Sequence, residues 1–196
     1  MKNLILTILS FFYLPIVFFL YLTQDKNLFK EDITAWAKWK KTTPNILGAS
    51  KIFTNCPEYR DLLYHRSRPY SLLISWLFKG RTAFYIQTHK IGGGFKLLHP
   101  FATIINAESI GKNVAVFQQV TIGMEKGKKP IIHDNVTICC GAKVIGGCTI
   151  GSNVIIGANA VVVKDVPDNS VVGGVPAKVI KKLPPLSEQT EIRELD

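Results

Sequence analysis

The sequence contains few cysteines, and their spacing excludes several classes of protein. Only four occur among 196 residues, and none has the C-x-x-C spacing of zinc ribbons and redox motifs. The adjacent Cys139 and Cys140 are typical of small buried residues in a reducing compartment, which predicts a cytoplasmic protein. Zinc-finger spacings and RNA-binding aromatic motifs are also missing. The net charge of +10 therefore predicts anionic small molecules or lipids as partners, and no nucleic acid.

Acidic side chains are also scarce, at 14 against 24 basic ones. No carboxylate lies between residues 81 and 108, a stretch that includes His99 in the run GGGFKLLHPFATII at 92–105. A single histidine in an apolar run has three explanations: a hydrogen-bonded core residue, a metal ligand or a catalytic base. Pro100 is expected to hold His99 in extended backbone.

A long uncharged run lies near the N-terminus. Leu4 to Thr23 contains no charged residue and is long enough to cross a bilayer. Lysines 26, 30, 38, 40 and 41 follow this run, whereas only Lys2 precedes it, so the body of the protein is expected on the cytoplasmic side. The run predicts either a membrane anchor through residues 4–23 or a hydrophobic helix buried in an oligomer and kinked at Pro15.

From Ile91 onward, aliphatic residues recur with a period of six. Two phased sets are Ile104, Ile110, Val116 and Ile122, and then Ile132, Ile138, Val144, Ile150, Ile156 and Val162. A small or β-branched residue follows most of them four positions later, and Gly or Asn recurs between them. This period fits neither an amphipathic helix nor an alternating strand. It fits a coil of three short strands joined by tight turns. The predicted fold is mainly β, a parallel β-helix preceded by α-helices.

The period breaks in two places. The step from Leu97 to Ile104 is seven residues, so the first coil is irregular around His99. The step from Ile122 to Ile132 is ten, which predicts a loop expelled from the coil at 123–130. Lys126, Lys128 and Lys129 lie in that loop. Expelled loops on a regular scaffold often carry function.

Several motifs between Tyr64 and Leu183 resemble a known family. They are a histidine at the start of the coils, VFQQVTIG (116–123), GAKVIGGCTIG (141–151), IIGANAVVVKDVP (155–167) and GGVPAKVI (173–180). These residues resemble the hexapeptide-repeat acyltransferases, and among them the serine acetyltransferases and the related enzymes that O-acetylate polysaccharide sugars. The resemblance implies a left-handed parallel β-helix, acetyl-CoA as donor, a hydroxyl acceptor, and a homotrimer with active sites between neighbouring chains.

The resemblance also implies roles for individual residues. His99 falls on the family's catalytic histidine. From its position on the coil above, and not from the resemblance, Gln118 is expected to contact the substrate or a neighbouring chain. The CoA groove is expected to include the following residues: Ala142, Ala160, Gly174, Pro176, Ala177 and Lys178. Lys128 and Lys129 have two explanations: they bind acceptor carboxylates or CoA phosphates, or they are solvated lysines of an exposed loop.

Two departures from the family pattern change the expected acceptor. Serine acetyltransferases have an aspartate directly before the histidine and a second one upstream, and these positions hold Leu98 and Phe84 here. The Arg-His pair of the family's loop is replaced by Lys128 and Lys129, which keep positive charge without the planar guanidinium. Without the two carboxylates, a sugar hydroxyl of surface polysaccharide or its precursor is predicted in preference to an amino acid.

Histidine suits the chemistry, because an imidazole can accept the hydroxyl proton as the oxygen attacks the thioester. His99 is therefore predicted to be the general base, with Glu108 a candidate to orient it. A metal site is not predicted, since His89 precedes the regular coils and His133 falls on a different face from His99.

The sequence thus predicts an O-acetyltransferase that acts on a sugar. The alternatives are serine O-acetylation in cysteine biosynthesis and a trimeric scaffold without catalysis. Four segments are expected: a hydrophobic helix at 1–24, a helical region at 25–88, the β-helix at 89–183 and a mobile acidic tail at 184–196.

Overall fold

A computed structural model of the chain describes residues 2–78 and 84–185. Two compact units are present. The helical unit comprises the helices together with Gly93–Leu97, and the β unit comprises residues 84–92 and the chain from Leu98 onward. Residues 186–196 of the predicted acidic tail lie outside the described residues.

Among the described residues, five helices form in the helical unit, and side-chain caps mark the starts of α2 and α3. They are α1 (Lys2–Leu22), α2 (Lys26–Lys40), α3 (Ile46–Asn55), α4 (Pro57–Arg66) and the short α5 (Leu72–Ser75). The Asp25 carboxylate accepts hydrogen bonds from the first N–H groups of α2, and the Asn45 side chain accepts one from Gly48 N at 2.8 Å. Pro57 occupies the first turn of α4, where its missing N–H costs no hydrogen bond.

The hydrophobic run at 4–23 lies in α1, which is attached along its length to the rest of the helical unit. Ser50 Oγ donates a hydrogen bond to the Ser10 carbonyl, and Ser67 Oγ donates one to the Leu20 carbonyl at 3.1 Å. Val17 and Leu20 are fully buried on the same side. Within the described residues, no helix has both the length and the apolarity needed to cross a bilayer.

A buried carboxylate organises the interior of the helical unit. Asp32 accepts a hydrogen bond from Arg66 Nε at 3.0 Å, and it also accepts from Gly94 N at 2.7 Å and Phe95 N at 3.2 Å. Trp36 Nε1 donates to the Phe95 carbonyl at 2.8 Å. Burial raises the pKa of Asp32 above its usual value of 3.8, and Arg66 and the two N–H groups offset only part of that rise. The carboxylate thereby ties three separate parts of the chain together.

The β unit is a parallel β-helix built from three sheets. Sheet one contains β1 (Phe84–Ile86), β3 (Thr103–Ile105), β6 (Thr121–Gly123), β9 (Lys143–Ile145) and β12 (Val161–Val162). Sheet two contains β4 (Ser109–Ile110), β7 (Ile131–Ile132) and β10 (Thr149–Ile150). Sheet three contains β5 (Ala115–Val116), β8 (Thr137–Ile138), β11 (Val154–Ile156), β13 (Ser170–Gly173) and β14 (Lys178–Lys182). β2 (Lys96–Leu97) belongs to the helical unit. Only the β13–β14 pair is antiparallel among the described pairs of the β unit.

The six-residue period is confirmed as the inward register of the β-helix at nine of its ten positions. From Ile110 to Val162 each of these aliphatic side chains is at most 3% exposed. The exception is Ile104, which is 42% exposed, whereas Ile105 is fully buried and pairs with Ile122. Ile105 therefore follows Leu97 after eight residues, where a regular turn would need six. The difference arises because His99 and Pro100 add two residues to the first turn.

Three corners join the sheets, and each repeats from coil to coil. The His99 corner, between sheets three and one, consists of 98–102, 117–120, 139–142, 157–160 and 174–177. The loop corner, between sheets one and two, consists of 106–108, 124–130, 146–148 and 163–165. The asparagine corner, between sheets two and three, consists of 111–114, 133–136, 151–153 and 167–169.

The asparagine corner is stabilised by stacked left-handed residues. Asn113, Asn135, Asn153 and Asn169 all have φ between 55° and 58°. Asn113 Nδ2 donates to Asn135 Oδ1 at 3.1 Å, and Asn153 Nδ2 donates to Asn169 Oδ1 at 2.6 Å. Asparagine tolerates this backbone and also satisfies its neighbour's amide, which explains its recurrence in the sequence.

Candidate active site

His99 lies exposed at the first turn of the His99 corner. Its φ is 53°, so its backbone is left-handed, and the expectation of extended backbone is wrong. The two added residues fold into a tight turn of their own, in which Phe101 N donates to the His99 carbonyl at 2.6 Å. A left-handed non-glycine residue stores strain of the kind found at functional sites. Within the described residues, the imidazole has no hydrogen-bond partner.

Backbone hydrogen bonds stack the predicted site residues in one column along this corner. Gln119 N donates to the Phe101 carbonyl at 2.8 Å, and Gly141 N donates to the Gln118 carbonyl at 3.0 Å. Further along, Asn159 N donates to the Cys140 carbonyl at 2.9 Å, and Val161 N to the Gly174 carbonyl at 3.0 Å. The column places Gln118 on the coil next to His99 and the G-V-P-A-K segment three coils further on.

Gln118 carries an unpartnered polar atom. Its Oε1 is buried and has no hydrogen-bond partner in the described structure. A buried oxygen without a donor costs roughly 1–3 kcal/mol, so a donor from a ligand or a second chain would remove that cost. Gln118 Oε1 is therefore the oxygen of this corner that is available to accept a hydrogen bond from such a donor.

Ala142 and Ala160, expected in the CoA groove, point into the core of the β-helix. Both are fully buried, at the inward position four residues after an aliphatic residue. Their side chains therefore do not line the outer surface of the corner, and the place of Ala142 and Ala160 in the CoA groove stays a prediction that depends on their backbone groups. Gly174, Pro176 and Lys178 are exposed, and Ala177 is half-buried. The outer surface of the corner is therefore formed at its far end by the G-V-P-A-K segment.

The basic residues after that segment lie on β14. This strand returns antiparallel to β13, with Lys178 opposite Gly173. Lys182 Nζ donates to Ser170 Oγ at 3.1 Å, while Lys178 and Lys181 are exposed. The strand thus presents exposed ammonium groups next to the end of the His99 corner.

Lys128 and Lys129 lie on a different corner from His99. The loop folds back as a hairpin in which Glu125 N and Lys128 N each donate to the other residue's carbonyl, at 3.0 and 2.9 Å. Lys126 and Gly127 at its tip have positive φ. Because sheet one separates the loop corner from the His99 corner, one chain does not bring these lysines beside His99.

A polar groove, which was not predicted from the sequence, lies beside this loop. The groove has a volume of about 350 Å³ and is lined by charged side chains, Glu125, Lys128, Lys164 and Asp165, with Gly146 and Gly147 at its floor. A Cβ on Gly147 would lie 2.9 Å from Lys128 Cβ, so glycine is required for this approach. In the sequence, the two adjacent glycines are the one feature that could have indicated this groove.

Carboxylates of the β unit lie on the other two corners. Glu108, Glu125 and Asp165 are on the loop corner, and Asp134 and Asp168 are on the asparagine corner. The Glu108 carboxylate is 3.6 Å from Lys90 Nζ, so the expectation that it orients His99 is not supported by its position. Among the described residues, no carboxylate lies on the His99 corner.

The remaining histidines and cysteines are distributed as follows. His133 lies on the asparagine corner, away from His99, and no three metal-ligating side chains converge in the described part of the chain. All four cysteines are free. Cys139 and Cys140 are half-buried on the His99 corner, and burial raises the pKa of the Cys139 thiol.

Comparisons with known proteins point to one group of enzymes. Residues 129–164 match the family described as bacterial transferase hexapeptide (six repeats). A serine acetyltransferase from Bacillus pumilus is 42% identical over 130 residues, which cover 62% of this chain and 57% of that protein. One from Staphylococcus aureus is 45% identical over 98 residues, covering 47% and 46%. The chain thus spans about half the length of the curated relatives it matches.

Solved structures of serine acetyltransferases share the fold. The enzyme from Brucella abortus has a TM-score of 0.63 at 23% identity, covering 81% of this chain and 69% of that one. The Neisseria gonorrhoeae enzyme in complex with serine has a TM-score of 0.62 at 26% identity, covering 80% and 69%. A serine acetyltransferase in complex with CoA has a TM-score of 0.57 at 23% identity, covering 79% and 68%. The chain therefore has the β-helix fold of these serine acetyltransferase structures, and residues 129–164 of that β-helix match the bacterial transferase hexapeptide family.

Proposed function

We propose that the protein is an acetyl-CoA-dependent O-acetyltransferase with His99 as the general base. The proposal depends on the position of His99. This residue is exposed, has left-handed backbone, and begins the column of hydrogen-bonded turns that leads to the G-V-P-A-K segment. The relatives support the same reaction class through their names as acetyltransferases.

The reaction needs a proton acceptor and an oxyanion site. The His99 imidazole takes the hydroxyl proton while the acceptor oxygen bonds to the acetyl carbon. The tetrahedral intermediate places negative charge on the former carbonyl oxygen, where backbone N–H groups of the corner are suitable donors. Its collapse breaks the carbon–sulfur bond, and the proton held by His99 passes to the departing CoA thiolate. Gln118 Oε1 is suited to accept a hydrogen bond from the acceptor.

Acetyl-CoA is proposed to lie along the His99 corner toward its far end. Gly174, Pro176 and Ala177 shape that surface, and Gly174 has a φ of 94° that other residues rarely adopt. The exposed Lys178 and Lys181 ammonium groups suit the phosphates of CoA. One structural neighbour is a serine acetyltransferase in complex with CoA, which supports this donor.

Serine is the acceptor that the relatives support most directly, because they are named serine acetyltransferases and one solved neighbour holds serine. A sugar hydroxyl of surface polysaccharide or its precursor is the second candidate. It is favoured by the lack of any carboxylate on the His99 corner within the described residues, since an amino acid's ammonium needs a negative partner when it is desolvated.

An acceptor screen separates the two candidates. Release of CoA thiol from acetyl-CoA is followed with serine, with neutral sugars and with acidic sugars. Serine-dependent release with no response to sugars would establish serine, and the reverse would establish a sugar. Absence of acetyl-CoA binding and of release with every acceptor would instead favour a scaffold without catalysis.

We further propose a homotrimer whose active sites combine two chains. His99 lies on one corner and Lys128 and Lys129 on another, so a neighbour's loop must supply the lysines if they act at the same site. We also propose a cytoplasmic location, which the free cysteines and the metabolic donor support.

Subunit complementation tests the shared site. Coexpression of His99→Gln with a Lys128→Ala/Lys129→Ala variant should restore activity above that of either variant alone, to about one quarter of wild type if chains mix at random. Separately purified variants that are mixed without subunit exchange are the control. If coexpression restores nothing although mixed oligomers form, the lysines do not act at a neighbour's His99.

A further inference from the structure

The helical unit exposes an unusually large apolar surface, which we call the apolar face. It is formed by side chains of two uncharged segments, residues 8–24 and 69–78. Large side chains on it with more than 40% of their surface exposed are Ile8, Leu9, Phe11, Phe12, Phe18, Leu22, Tyr70, Leu72, Leu73, Trp76 and Leu77. Isolated exposed hydrophobic residues are ordinary, but clusters of this size mark sites of association.

Two contacts join the segments into one surface. The Tyr13 ring packs edge-on against Phe78, with centroids 5.1 Å apart. At the other end of α1, Ser67 Oγ donates to the Leu20 carbonyl, which brings the residues before Tyr70 to the end of the helix. An open apolar groove of about 690 Å³, lined in part by Leu14, Pro15 and Phe18, adjoins α1.

Basic residues border both segments. Lys2 precedes the first segment, and the exposed Lys26 and Lys30 follow it. Arg68, also exposed, directly precedes the second. Through residue 78 the chain carries ten basic and five acidic side chains. Two such faces would repel each other, whereas an anionic lipid surface attracts basic residues.

We infer that the apolar face binds side-on to an anionic bilayer surface. Buried contacts along α1, from Ser10 to Leu20, hold one side of this helix against protein, so only its outer side can enter lipid. Exposed Phe, Leu and Trp side chains with basic residues at the border are the composition of interfacial membrane segments. This inference is independent of the proposed enzymatic function.

Vesicle sedimentation of the full chain tests the inference. The protein should bind vesicles of equal parts phosphatidylglycerol and phosphatidylcholine, bind phosphatidylcholine alone much more weakly, and lose binding as salt increases. Phe12→Ser should weaken binding about tenfold, because Phe12 is 82% exposed and would lose its burial in lipid. Met124→Ser, an exposed apolar residue of the β unit, is the matched control and should bind as wild type does.

A second readout detects contact with lipid in the unaltered protein. Lipids brominated in the acyl chain should quench the fluorescence of the unaltered protein, and Trp76→Phe should lose most of the quenching. Failure of wild type to bind anionic vesicles would overturn the inference. If Phe12→Ser also lowered the mass of the assembly in solution, the face would belong to an interface between copies of the chain.

Discussion

Replacing His99 with glutamine should lower the kcat of acetyl transfer by about 10²–10⁴-fold while leaving acetyl-CoA affinity nearly unchanged. Glutamine approximates the size and polarity of histidine but cannot accept the hydroxyl proton. His99 is exposed and lacks a side-chain partner in the described structure, so the substitution removes no stabilising contact. Steady-state kinetics together with calorimetric titration of CoA separate the chemical step from binding.

His133→Gln is the matched control for this experiment. His133 is also an exposed histidine at a turn of the β-helix, but it lies on the asparagine corner. Its substitution should leave kcat within about twofold of wild type, because it touches no part of the His99 corner. Equal losses in the two variants would contradict the assignment of His99.

Replacing Asp32 with alanine should lower the free energy of unfolding by about 3–5 kcal/mol, the largest stability effect we expect from a single substitution here. The change leaves the buried Arg66 guanidinium and the N–H groups of Gly94 and Phe95 without their acceptor. Urea unfolding followed by far-UV circular dichroism measures the loss. The exposed Lys90–Glu108 pair supplies the control, and Glu108→Ala should cost at most about 1 kcal/mol. Similar losses would mean that the Asp32 network does not organise the helical unit.

The same carboxylate makes stability depend on pH with a definite sign. Burial raises the pKa of Asp32 in the folded protein, so the folded state holds this proton more tightly than the unfolded state. Its contribution is fully present below the usual pKa of 3.8 and is lost as pH rises through the raised value. The free energy of unfolding of wild type, measured relative to that of Asp32→Asn, should therefore decrease as pH rises from 3.8 through the raised pKa. A relative gain would show that Arg66 outweighs desolvation.

The sequence predicted the β-helix well because its packing rule is local. Within the regular coils an inward position recurs after six residues, and only a residue that fits the core can occupy it. The rule failed at Ile104, where the two residues added at His99 and Pro100 shift the register so that Ile105 is buried instead. The same packing rule explains why Ala142 and Ala160 are buried, each four residues after an inward aliphatic residue.

Features that depend on distant residues could not be predicted from the sequence. Asp32 joins Arg66 and Gly94, which are far apart in the chain and show no periodic relation. Assigning a loop to a corner from the sequence requires counting residues through an irregular first turn. The separation of Lys128 from His99 was therefore visible only in the fold. The left-handed backbone of His99 likewise depends on the hydrogen bond that closes the added turn.

Acetyl transfer at the His99 corner is the central claim, and product stoichiometry tests it most directly. The full chain is incubated with acetyl-CoA labelled in the acetyl group and with the acceptor identified by the screen. Free CoA and labelled O-acetyl ester are then quantified together. We predict equal amounts of the two products, formed only when acceptor is present and lost in His99→Gln. CoA release without ester, or ester formation that persists at the wild-type rate in His99→Gln, would contradict the account.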